Sequence, residues 1–414
     1  MPPTQDQTRA PSIIWRDTAQ PEDYEKARTH RLFNGIVPER YPTATVFAKT
    51  EHDIVDAMKV AIEKKIRVSI RAGGHSFAAW SVRDEALLLD LGGFSELALD
   101  KMTGIVCVSP SVTGRELDKY LVAKGRAFPS GHCPDVAMGG YLLGGGMGWN
   151  TNNWGWACES VVAVDVVSTN GQLVRADADE NADLFWAAKG GGPAFPGVVT
   201  RFHLQTISAP KIMRSSVYVF PITHYKTALG WALEIASTLE DTIELTAVGN
   251  YQEDIQDPCI MIILLASSDD EDHVQKLLRS AENSRPDGAL SASVCHQTSL
   301  QKEFDNKAKA YPVGQRYKVD NVFLRNDADI VSLLEPSFTT LPTRQSMALW
   351  TSMRPRSNRP LTNMALIGSY LGEYDFQARA SRCWGAEEYQ RLVELKRKWD
   401  PDNRITGCLG LEGL

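Results

Sequence analysis

The chain has 414 residues, 43% hydrophobic and 23% charged, with a formal net charge of −7. Its length suggests about two to three domains of ordinary globular composition, and Gly plus Pro at roughly one residue in eight indicates neither a disordered nor a fibrous chain. The acidic balance without a basic cluster argues against duplex nucleic acid as a partner, and the longest apolar run, residues 259–266, is too short to span a bilayer.

Residues 1–15 are polar and interrupted by proline. They lack the charged-then-apolar pattern of a leader, which points to a cytoplasmic chain. Seven cysteines, with no Cys-x-x-Cys pair and no Cys/His cluster at zinc spacing, read as mostly buried reduced thiols and no metal site.

The first two hundred residues alternate strand-like and helix-like segments. Residues 45–48 read as a strand and 53–64 as a helix with Ile54, Met58, Ala61 and Ile62 on one stripe. A strand over 66–70 runs into Arg71-Ala72-Gly73-Gly74-His75-Ser76, and 87–91 and 105–108 are further strands. Thr113 with Glu116 forms a capping box that opens a helix, and Gly125 stops it. Strands at 161–168 and 172–176 flank Thr169-Asn170-Gly171, a hairpin signal; a short helix at 183–189 and a strand at 198–207 follow. Beyond residue 210 the texture changes. Strands at 216–220, 243–248, 259–266 and 346–353 are separated by helices at 225–239 and 270–281, which suggests a sheet covered by helices on one face. A last helix is expected at 387–398.

Two glycine-rich segments carry the chemistry. In residues 71–76 consecutive glycines let several N–H groups converge on one point, a nest for a phosphate, although a lone Gly-Gly is also a plain strand-to-loop turn. Residues 131–149 hold seven glycines in nineteen positions, interleaved with apolar side chains, which suits a backbone pressed against a flat ligand. No Gly-Lys-Ser/Thr follows, and no βαβ unit with an acidic residue downstream, so the segment is neither a Walker loop nor a Rossmann fingerprint.

In order and spacing, these segments resemble the flavin domain of the berberine-bridge-enzyme-like oxidases, members of the vanillyl-alcohol-oxidase superfamily. The resemblance covers Pro42 to Val46, Arg71 to Phe77, Cys133 to Trp149, Val161 to Arg175, Asp183 to Ala187 and Gly190 to Phe202, then Tyr389-Gln390-Arg391-Leu392 and Asp400-Pro401-Asp402-Asn403. It implies an α+β fold with a two-lobed p-cresol-methylhydroxylase-type FAD-binding domain at 1–205 (core 38–209). A shortened antiparallel substrate domain backed by helices follows at 206–374, and a tail at 375–414 returns to the first domain. It implies FAD bonded to His75, and to Cys133 in the context Cys133-Pro134-Asp135-Val136-Ala137-Met138-Gly139-Gly140. The alternatives are a buried loop histidine and a free thiol. The flavin contacts it implies are Arg71, Gly73, Gly74, His75, Ser76, Gly131, Cys133, Gly139, Gly140, Tyr141, Gly144, Gly148 and Val198. Gly131 lies where relatives admit dioxygen, and Tyr141 stands where plant members often carry His.

Catalytic candidates are Tyr389, Tyr370 and Tyr317. For Tyr389 the roles of general base and of packing for the C-terminal helix both stay open, and Trp149, Trp154 and Trp156 read as core or as an aromatic wall. The resemblance implies oxidation of a small organic molecule, in secondary-metabolite biosynthesis, with dioxygen as acceptor. Alternatives are a flavin-dependent dehydrogenase or cyclase and an inactive binding protein.

Overall fold

The computed structural model describes residues 12–320, 324, 327–352 and 384–407. Two small lobes come first. In one, three parallel strands, Ala44–Phe47, Ala86–Asp90 and Arg67–Arg71, lie side by side in that order, and Ile13–Trp15 adds an antiparallel edge. Helix Glu51–Lys64 covers this sheet with Ile54, Ala57, Met58 and Ala61 buried. It starts two residues earlier than its apolar stripe indicates, because the Thr50 side chain accepts the Asp53 N–H while the Asp53 side chain accepts the Thr50 N–H. The second lobe is a five-stranded antiparallel sheet in the order Leu97–Leu99, Ile105–Val108, Gly197–Gln205, Val161–Ser168, Leu173–Asp177. Neither lobe is a doubly wound parallel sheet.

Helix Gly114–Val122 packs on the second lobe and starts at the expected capping box of Thr113 and Glu116. It buries Asp118 at 4% exposure, and the Oδ1 of that residue has no hydrogen-bond partner. Burial pushes the carboxyl up from 3.8 to about 6. Between those two values the folded state holds a proton that the unfolded chain has lost, so this residue's contribution weakens as pH rises through that window. Asp118→Asn is therefore expected to match the parent near pH 4 and to exceed it by on the order of 2 kcal/mol above pH 6. Thermal unfolding from pH 4 to 8 checks this; parallel curves would contradict it.

The third sheet is antiparallel, in the order Ser291–Gln297, Ile212–Pro221, Pro258–Ser268, Ile243–Tyr251, Ala348–Thr351. Tyr218, Phe220, Leu245, Ala247, Ile260, Ile262 and Leu264 alternate onto one face. There they form a core with helices Tyr225–Ala236, Glu271–Asn283 and Ile330–Thr339. The residues between them, including Glu244, Thr246, Met261, Ile263 and Leu265, belong to the opposite face by the two-residue period of a strand. That face meets the glycine-rich loop: Leu265 shares a buried cluster with Trp149, Leu300 and Phe304.

Helix Ala386–Trp399 packs back on the second lobe through Leu392, Val393 and Leu395. Lys398 Nζ and Trp399 Nε1 both donate to Asp183 Oδ2, at 2.6 and 3.1 Å. Beyond it, Ile405 bridges Val68 in parallel, beside the edge strand of the first sheet. Five cysteines among the described residues, Cys107, Cys133, Cys158, Cys259 and Cys295, are free thiols. No helix among the described residues is long and apolar enough to cross a membrane.

Candidate active site

Asp90 ends the central parallel strand and organises the first glycine loop. Its side chain is 2% exposed and accepts from Arg71 Nε at 2.7 Å, Arg31 Nη1 at 2.6 Å and the Gly92 N–H at 2.7 Å. Arg71 also donates to the Arg28 and Ala27 carbonyls. The Arg71 guanidinium therefore fastens the loop from behind, through Asp90 and the Ala27 and Arg28 carbonyls. Arg31 Nη2 donates to the Ala72 carbonyl at 2.7 Å. Gly74 sits at φ +77°, and a Cβ there would stand 2.1 Å from the Arg31 carbonyl oxygen, so glycine alone fits. Ser76 caps the following bend, its Oγ accepting the Trp80 N–H at 3.3 Å.

The second loop interlocks with the first. A Cβ on Gly73 would lie 2.6 Å from the Ala137 Cβ, and one on Gly139 would lie 2.8 Å from the Ala72 Cβ. Short helix Met138–Leu143 starts at this contact and ends at Gly144, whose N–H bonds the Gly140 carbonyl at 3.0 Å. Gly140 is exposed, and a Cβ there would meet no atom within 4 Å. Gly73→Ala is expected to cost roughly 1–3 kcal/mol through overpacking, with lower flavin content. Gly140→Ala is expected to leave the melting temperature of the flavin-free protein unchanged or slightly raised; equal melting losses in the two variants would contradict this. The Tyr141 ring lies against Gly131, Gly146 and Gly148, and its hydroxyl donates to the Pro129 carbonyl at 2.6 Å. Tyr141 thus braces the loop, and the space beside Gly131 is taken by this ring.

His75 stacks on Phe33 with ring centres 3.8 Å apart, and Phe77 meets it edge-on at 6.1 Å. Its Nε2 is buried without a hydrogen-bond partner. Burial pushes the imidazole down to about 4, so it is neutral at pH 7. Tyr317 stacks on Phe33 at 5.4 Å and meets Phe77 at 5.7 Å. Asn34 holds this group together: its Nδ2 donates to the Phe77 and Tyr317 carbonyls, and its Oδ1 accepts the Tyr317 N–H. Burial and the neighbouring Cys133 push the Tyr317 phenol up, and it donates to the Pro312 carbonyl at 2.7 Å. Tyr317 is therefore the residue that links the surroundings of His75 with those of Cys133. Burial pushes the Cys133 thiol up to about 11, against the pull of Lys307.

On the sheet side, Glu244 accepts from the Asn150 N–H at 2.9 Å and pairs with His132 Nε2 at 2.7 Å. Burial alone would raise this carboxyl; the His132 charge and these hydrogen bonds overcome it and hold Glu244 below the usual range. His132 also lies against Trp149, ring centres 4.3 Å apart. A cavity of about 20 Å³ between loop and sheet is lined by His132, Met147, Thr151, Glu244, Thr351 and Ser352, with Gly148 and Asn152. That is room for roughly one water.

Tyr389 packs against the second-lobe core and stacks on Trp384 at 6.3 Å, on the helix side of that lobe. Val198 is fully buried in the first-lobe core with Val46, Val68 and Ile405, so its side chain serves packing. Trp149 is core rather than a free wall. Tyr370 and the segment 364–373 lie outside the described residues. Phe33, Asn34, Glu244 and Lys307 were not signalled by any motif, although the alternation Ile243-Glu244-Leu245-Thr246 places Glu244 opposite the apolar face.

An unpartnered buried imidazole nitrogen, a free thiol and interlocked glycine backbones fit a tethered flat cofactor. Residues 42–177 match the FAD binding domain family, and residues 369–404 match the berberine and berberine-like family. FAD-linked oxidoreductase janO of Penicillium janthinellum is 36% identical over 97% of this chain and 98% of its own. BBE-like 1 of Physcomitrella patens has the same fold, with a TM-score of 0.78 at 18% identity over 97% of each chain. The glucooligosaccharide oxidase of Acremonium strictum, a structure that reveals a novel flavinylation, has a TM-score of 0.71 at 18% identity, over 98% of this chain and 96% of its own. Fold and site together define an FAD-dependent oxidoreductase. The chain belongs to the berberine-bridge-enzyme-like family of FAD-linked oxidoreductases.

Proposed function

We propose that the protein is an oxidase that carries FAD bonded to His75 and Cys133 and oxidises a small organic molecule of secondary metabolism, with dioxygen as final acceptor. The observation that carries this is His75: a half-buried, neutral imidazole whose buried Nε2 lacks a partner, in the loop that matches the family's linking motif. When bound, FAD supplies the ring that accepts a hydride. Gly73, Gly74, Gly139 and Gly140 would present backbone to it. His75 and Cys133 would fix its register, with Arg71 and Asp90 holding the first loop rigid behind them.

Tyr317, Tyr389 and Tyr370 remain the tyrosine candidates near substrate. Tyr317 has the best support, from its position between the two linking residues. Its raised pKa keeps its proton at neutral pH, which suits a hydrogen-bond donor better than a base. Glu244, ionised and held by His132, is the better proton acceptor on the substrate sheet. Small-molecule chemistry is supported by relatives named xylooligosaccharide oxidase and carbohydrate oxidase, 32% and 36% identical over part of this chain.

Acceptor choice can be tested without a known substrate. The purified holoprotein is reduced anaerobically with dithionite and mixed with air-saturated buffer. Reoxidation within seconds, with one hydrogen peroxide per flavin, is expected; reoxidation over many minutes would favour a dehydrogenase.

A further inference from the structure

We propose that Lys307 is the cation that activates Cys133 for bonding to the flavin, acting on the tether rather than on substrate. The inference rests on the covalent reading above. Helix Leu300–Ala310 begins at Ser299, whose side chain accepts the Lys302 N–H. Residues 300, 304 and 307 fall on one stripe at helical spacing. Leu300 and Phe304 bury that stripe against Trp149 and Leu265, with the Phe304 and Trp149 rings 6.2 Å apart, so the stripe lies on the glycine-rich loop. Arg115 pins the helix through Asp305 at 2.6 Å. The same Arg115 ties down the linking segment, its N–H bonding the Pro134 carbonyl at 3.1 Å while the Gly114 N–H bonds Val136 at 2.9 Å. Helix and linking segment are thus fixed to a common support, and the stripe carries Lys307 toward Cys133.

Lys307 is half-buried, and its ammonium makes no hydrogen bond or ion pair among the described residues. Its field favours the ionised forms of both Cys133 and Glu244. The other charged groups around Cys133 do not do this work. Asp135 on the same segment opposes ionisation, Tyr317 keeps its proton, Arg115 is paired with Asp305, and His132 is paired with Glu244. A thiol pushed up to about 11 is mostly protonated at neutral pH, and the thiolate is the nucleophile.

In the bond-forming step the Cys133 thiol gives up its proton and its sulfur lone pair forms the S–C bond at flavin C6. The C6 hydrogen leaves as a proton, and the electron pair it leaves behind reduces the flavin by two electrons. Dioxygen takes that pair with two protons, giving hydrogen peroxide and restoring the oxidised ring.

The test uses His75→Ala protein, in which sulfur is the remaining linking atom. It is stripped of loosely held flavin and incubated with FAD in air. Acid-stable flavin and intact mass are followed over time. Adding Lys307→Met is expected to slow the gain of one FAD mass about tenfold or more at pH 7.5, with Lys307→Arg close to the parent. Raising the pH by one unit should recover about tenfold, as expected for a thiolate-limited step. Lys307→Met with His75 intact should still carry acid-stable flavin, which shows that the fold survives. Tethering at the parent rate in Lys307→Met, or a slow rate that pH does not recover, overturns the inference and leaves the proposed oxidase standing. Absence of any sulfur-bound flavin in the His75→Ala protein overturns it together with the second tether.

Discussion

Asp90→Ala is expected to destabilise the protein by about 3–5 kcal/mol, the penalty for leaving a buried charge unpaired. The unpaired charge is Arg71, whose side chain is 0% exposed beside an Asp90 that is 2% exposed. Arg31 loses the same partner, and with it the geometry that holds the Ala72 carbonyl. The effect should therefore appear twice, as a fall in melting temperature and as poor flavin loading, although Asp90 touches neither linking residue. The surface pair Arg16–Glu85, at 40% and 67% side-chain exposure, provides the contrast. Arg16→Ala is expected to change stability by about 0–1 kcal/mol. Thermal unfolding of the two variants side by side checks the account; similar losses would show that burial is not what makes the Asp90 pair matter.

Replacing both His75 and Cys133 by Ala is expected to abolish acid-stable flavin, whereas Cys133→Ala should keep one FAD per chain through His75. The two residues sit on separate loops, and the structure brings those loops into contact at Gly73–Ala137 and Gly139–Ala72. The neutral His75 imidazole is the better nucleophile of the two, because the Cys133 thiol is pushed up to about 11. Loss of the histidine should consequently leave slower and less complete attachment than loss of the cysteine. Flavin retained through acid precipitation in the double variant would mean that another residue forms the bond.

The parts legible in the sequence were those whose cause is local. Strands Ile105–Val108 and Val161–Ser168 fall where their apolar patterns put them. The capping box at Thr113 and Glu116 and the turn at Thr169-Asn170-Gly171 depend on residues a few positions apart. Strand Ser291–Gln297 escaped because it is a largely exposed edge with no apolar alternation. Helix Ile330–Thr339 escaped because Pro336 lies inside it.

The site divides the same way. The glycine loops, His75 and Cys133 carry a motif. Asn34 does not: it acts on Tyr317, 283 positions away, and its neighbours give no hint of that. Glu244 meets its partner His132 at a separation of 112 positions, through the docking of one sheet on one loop. The side chains of Arg71 and Val198 show a related effect: one bonds Asp90 and the other packs in the first-lobe core. Sequence places a residue in a binding segment, but whether its side chain faces the ligand or the supporting core is settled by packing.

The central claim is that this fold holds one FAD by bonds through His75 and Cys133. Intact-mass measurement of the purified protein after acid precipitation tests it most directly. The account predicts a yellow pellet and a single species heavier than the polypeptide by one FAD, with peptides containing His75 and Cys133 joined through the flavin after digestion. A colourless pellet at the bare polypeptide mass, with all flavin in the supernatant, would contradict it.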